Sequence, residues 1–163
     1  MTTADDGDAH DGFLRLAIAE AVRGVQARQG GPFGAVVVKD GVIIARGCNQ
    51  VTSSHDPTAH AEVVAIRAAC AALGAFQLDG CDVYASCEPC PMCLGALYWA
   101  RPRAVYFAAA RQDAAAAGFD DEFIYEELAR APGDRRLAVR RRAVAESGQP
   151  FAAWAALAGP VRY

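Results

Sequence analysis

The chain has 163 residues, of which 53% are apolar and 21% charged, and its formal net charge is −3. That balance fits one folded domain with a real core and argues against a dedicated nucleic-acid binder, which is normally basic. No run of about 18 apolar residues is present to span a membrane, and the acidic start MTTADDGDAHDG lacks the apolar stretch of a signal peptide. Residues 1–12, including His10, read as a frayed tail, and residues 13–163 as a single domain. Six cysteines in such a chain read as thiols or metal ligands rather than disulfides, which points to the cytoplasm.

From Phe13, the apolar residues Phe13, Leu14, Ala17, Ile18, Ala21, Val22 and Val25 recur at helical spacing until Gly30-Gly31. GAVVVK, Asp40-Gly41 and VIIARGC then read as a β-hairpin with a glycine-containing turn. The polar loop NQVTSSHDPT, with His55 solvated, leads into a helix over HAEVVAIRAACAAL. CDVYASC reads as a buried strand, followed by a helix from about Pro91 to Trp99. Pro102 stops that helix before the strand RAVYFAAA. This alternation predicts parallel crossovers with helices on both faces of the sheet. LAVRRRAV reads as a further edge-like strand with solvated arginines, and PFAAWAALAG as a terminal helix.

Chemistry concentrates in TAHAEVV and SCEPCPMC. Pro91 suits a first helical position, which makes Cys90 the N-cap and Cys93 a first-turn residue. His60 and Glu62 likewise fall at the start of their helix. The 27 residues between Glu62 and Cys90 suit the rest of a helix, a turn and a returning strand. A right-handed crossover then brings the two helix starts together. Helix N-termini favour thiolates. Two thiolates and a neutral imidazole leave Zn²⁺ formally neutral, with its fourth position open to a water.

Glu62, two residues from His60, is suited to pass protons rather than bind metal. His-x-Glu followed by Pro-Cys-x-x-Cys is the known signature of the zinc deaminases. The expectation is one zinc per chain, bound by His60, Cys90 and Cys93. Cys87 is the candidate for a fourth ligand that would close the site, and reads more simply as a small buried residue. Cys48, Cys70 and Cys81 fall in apolar elements and read as core. A noncatalytic, zinc-stabilised binding module is the reading from another class.

From about Phe13 to Tyr163 the chain resembles the bacterial guanine deaminases of the cytidine deaminase superfamily. GGPFGAVVVKDG, DPTAHAEVVAIR, SCEPCPMCLGALYWARP, AAAAGFDDEFIY and the terminal Tyr163 carry the resemblance. It implies an α/β fold, a three-layer α/β/α sandwich around a five-stranded mixed sheet. It also implies a homodimer and hydrolysis of guanine to xanthine and ammonia. It carries over His60, Cys90 and Cys93 as zinc ligands and Glu62 as proton shuttle. Asn49, Asp121 and Tyr163 become contacts to the base, and Phe33 and Trp99 line its pocket. Asp120, beside Asp121, leaves the choice between those two carboxylates open.

The resemblance further implies a domain swap, with the C-terminal segment exchanged between subunits so that Tyr163 reaches the partner's site. A transfer-RNA adenosine deaminase of the same superfamily is the nearest alternative, and cytosine or guanosine deamination is another. The acidic balance disfavours a polynucleotide substrate.

Overall fold

A computed structural model describes residues 4–163, in two compact units, the first running to Asp121 and the second Glu122–Tyr163. In the first, helix α1 (Ala4–Gln26) precedes strands β1 (Gly34–Lys39) and β2 (Val42–Cys48). A one-turn helix α2 (Val51–Ser54) and helix α3 (Ala61–Leu73) follow. Then come β3 (Cys81–Cys87), α4 (Pro91–Ala100), β4 (Ala104–Ala109) and the short α5 (Arg111–Ala116).

The sheet order is β2-β1-β3-β4. β1 is antiparallel to both β2 and β3, whereas β3 and β4 are parallel. β2 and β3 therefore run the same way on either side of β1, with α3 as their crossover. The hairpin forms as expected, since Asp40 and Gly41 both have positive φ, at 50° and 77°.

Each face of the sheet carries its own core. Val36, Val38 and Tyr84 pack with Ala17 of α1, and Phe13, Leu14 and Leu16 close over them. Ala35, Val37 and Val83 point the other way, towards Ala61, Ala65 and Ala69 of α3 and Leu97 of α4. This is the period-two alternation of strands buried on both sides. Helix α3 lies directly on β2, because a Cβ on Gly47 would come within 2.5 Å of the Ala61 carbonyl oxygen and 2.7 Å of the Ala65 nitrogen. Glycine there sets the depth at which α3, and with it His60, sits on the sheet.

The tail expected over residues 1–12 is helical from Ala4. His10 Nδ1 lies 2.7 Å from the Tyr84 hydroxyl, and the imidazole stacks on Tyr106 with ring centroids 4.2 Å apart. Those partners lie more than 70 residues away in sequence, so local pattern could not show them.

The second unit holds α6 (Glu122–Ala129), two 3₁₀ turns (Pro132–Asp134 and Ala145–Gly148) and α7 (Gln149–Ala155). None of its residues is buried. The edge strand expected in LAVRRRAV, residues 137–144, is absent. The sheet thus has four strands among the described residues, one fewer than expected. No described helix is long and apolar enough to cross a membrane.

Candidate metal centre

His60 and Cys90 are the N-cap residues of α3 and α4, both in extended backbone and neither using its side chain as a cap. Their side chains are free to turn towards each other. His60 Nδ1 lies 3.5 Å from Cys90 Sγ and 3.5 Å from Cys93 Sγ. A tetrahedral zinc with bonds of about 2.0 Å to nitrogen and 2.3 Å to sulfur separates those donors by about 3.5 Å. The three ligand atoms all lie within 4.8 Å of one another, so donor types and spacing both fit zinc. The position expected of each ligand from the sequence is the one it holds.

Cys87 stays out of this cluster. Its thiol donates to the Ala110 carbonyl at 3.5 Å, and it is buried at the end of β3. Cys48 and Cys81 are buried, Cys70 is half-buried, and all six cysteines are free thiols. His55 is exposed, as expected.

The three side chains share their protons unevenly. The Cys90 thiol is pushed down to about 4, first by the hydrogen bond from Cys93 and then by the one with His60. Cys93 moves the other way, because it gives its proton towards Cys90 and is itself buried. The bond to Cys90 also raises the His60 imidazole. Glu62 is only 7% exposed, and that burial holds its carboxyl above the usual range. Its Oε2 accepts from Cys93 Sγ at 3.4 Å. A carboxylate that is desolvated, easily protonated and in contact with the ligand set is placed to carry protons beside the metal.

Asn49 is buried, and its side chain is half committed. Its Oδ1 accepts from the backbone nitrogens of Gly31 and Val51, each at 3.1 Å. The amide oxygen is thus spent on the loop, and the NH₂ remains as a donor. Phe33 packs edge-on against Phe119, with centroids 5.1 Å apart and planes at 89°.

Asp121 is half-buried and Asp120 exposed. Burial raises the Asp121 carboxyl, the Cys90 charge adds to the rise, and the Arg111 guanidinium opposes it. Trp99 is 64% exposed on α4, whose buried positions are Cys93, Leu97 and Ala100. Tyr163, 69% exposed, ends the second unit. Phe119 was not singled out from the sequence, although an aromatic beside Gly118 in a polar loop was its signal.

Residues 8–109 match the model of the cytidine and deoxycytidylate deaminase zinc-binding region. The chain is 57% identical to the guanine deaminase of Bacillus subtilis over 94% of this chain and 99% of that protein. The crystal structure of that enzyme superposes with a TM-score of 0.92, covering 94% of this chain and 98% of the other. The transfer-RNA-specific adenosine deaminase of Agrobacterium fabrum is 47% identical over 60% of this chain and 63% of its own length. The family match takes in all three candidate ligands and Glu62, and the chain therefore belongs to the zinc-binding cytidine and deoxycytidylate deaminase family.

Proposed function

We propose that this chain is a hydrolase that converts guanine and water to xanthine and ammonia. One observation carries the choice of substrate: the likeness to a guanine deaminase runs through 94% of the chain. The likeness to the transfer-RNA deaminase stops at 60%. His60, Cys90 and Cys93 would hold a zinc ion, which when bound would supply a water that ionises near neutral pH. Glu62 takes a proton from the water at its carboxylate, returns it to a ring nitrogen of the base, and passes the second to the departing amine. Such transfers contribute about 10²–10⁴ in rate.

Guanine offers acceptors at O6 and N7 and N–H donors at N1 and N2. The Asn49 NH₂ complements the first set and the Asp121 carboxylate the second. Asp121 is preferred to Asp120 because it is the half-buried one of the two. Phe33, and Trp99 with it, supply apolar contact to the flat ring.

The working unit is a homodimer. Residues 122–163 bury no side chain, while Leu137, Val139, Val144, Phe151 and Val161 are each more than half exposed. Apolar surface of that kind calls for a partner. We assign it to a second copy, with residues 137–144 on the open edge of β4 as a fifth strand and Tyr163 at that copy's site. Residues 13–163 then act as one deaminase domain. Six free thiols support a reducing compartment, the cytoplasm.

The test is ammonia release from zinc-loaded protein across guanine, guanosine, cytosine, cytidine, adenine, small triazines and a transfer-RNA anticodon loop. Guanine is expected to lead. Guanine inert beside an active anticodon loop would move the chain to its transfer-RNA relatives.

A further inference from the structure

The two groups assigned to the base come from loops remote in sequence, at Asn49 and at Asp121, and one aromatic contact joins those loops. Asn49 clasps the segment 31–33 from both sides, since its Oδ1 accepts from Gly31 N and its own N–H donates to the Phe33 carbonyl at 3.0 Å. Phe33 in turn meets the edge of Phe119. Phe119 rests on Gly31 as well: a Cβ there would lie 3.1 and 3.3 Å from its ring carbons.

The other end of this connection is equally fixed. Gly118, at φ 92°, turns the chain off α5, and Phe119 N donates to the Ala114 carbonyl at 2.9 Å. Asp121 follows only two residues later, a reach of about 7 Å of extended chain. A Phe119 ring packed on Phe33 and Gly31 therefore restricts where the backbone at Asp121 can lie.

We infer that Phe119 is a positioning residue for substrate recognition, which locks Asp121 in register with Asn49 through Phe33 and the bare Cα of Gly31. The inference rests on the assignment of Asn49 and Asp121 to the base. Phe119 itself need not touch the substrate. Its loss should loosen binding of the base more than it slows the chemistry at Glu62, which sits on a different helix start.

The test compares Phe119→Ala, Phe119→Leu, Gly31→Ala and the double variant Gly31→Ala/Phe119→Ala, all zinc-loaded. Two readouts are taken: guanine KM against kcat, and the Asp121 amide resonance without substrate. Phe119→Ala should raise KM about tenfold with kcat within about twofold, and shift the Asp121 signal. Phe119→Leu should recover part of both. Gly31→Ala should act in the same direction by a few-fold, and should add less than its full effect once Phe119 is gone, since coupled neighbours are non-additive.

An unmoved Asp121 signal in Phe119→Ala and Gly31→Ala alike overturns the inference, as does an unchanged KM in an enzyme that does turn over guanine. If Phe119→Ala does not fold, Phe119→Leu and Gly31→Ala decide by the same measures. If the unaltered protein ignores guanine, the substrate assignment fails on its own, and the Asp121 resonance alone decides whether the loops are coupled.

Discussion

His60 and Cys90 hold equivalent places in two different helices. Each is the N-cap, each leaves its side chain out of the cap, and their Nδ1 and Sγ atoms meet at 3.5 Å. The metal centre is thus a junction of two helix starts, brought together by the crossover that carries α3 from β2 to β3.

One zinc per chain is expected by metal analysis. Cys87→Ala should keep it, because that thiol is bonded to the Ala110 carbonyl rather than turned to the cluster. Cys93→Ala should lose it. Zinc loss in Cys87→Ala would make this a four-ligand, closed site.

Glu62→Gln should bind zinc normally and lose at least about 10²-fold in turnover, since an amide accepts a hydrogen bond but carries no proton. Circular dichroism and metal content establish that the variant is intact. Turnover near that of the parent would take Glu62 out of the proton path.

Gly47→Ala should lower stability by about 1–3 kcal/mol, because the added methyl meets the α3 backbone and must push it off the sheet. Since Ala61 is the residue displaced and His60 precedes it, zinc affinity should fall as well. Chemical denaturation and a zinc titration read the two effects separately.

Burial pushes the Tyr84 hydroxyl up to about 12. The unfolded chain releases that proton at its ordinary value near 10, so between 10 and 12 it binds fewer protons than the folded protein. Stability must then fall as pH rises through this window. Melting temperatures from pH 9 to 12 should show the decline, and Tyr84→Phe should flatten it relative to the parent. Equal slopes in the two proteins would contradict it.

Deleting residues 160–163 should reduce guanine turnover sharply while zinc stays bound. Refolding that truncated chain together with Glu62→Gln should restore one working site per heterodimer. That site joins an intact Glu62 to a Tyr163 given by the other copy. Heterodimers that form without recovering activity would show that the arm serves its own subunit.

Sequence by itself determined the candidate ligand set, the helix starts that present it and the hairpin, because each depends on local chemistry. Pro91 fixes where α4 begins, Asp40-Gly41 fixes the turn, and His60-x-Glu62 with Cys90-x-x-Cys93 places the donors on two first turns. Tertiary structure decided what depends on partners distant along the chain. Residues 4–12 look like an acidic tail until His10 finds Tyr84 and Tyr106 on the sheet. LAVRRRAV alternates as an edge strand should, yet a strand exists only where a neighbouring edge supplies its hydrogen bonds, and here it remains outside the sheet. An Asn side chain can donate and accept at once, but the fold spends the Asn49 oxygen on Gly31 and Val51. A local pattern states what a residue is able to do; which of its groups remain free is set by the contacts the fold creates.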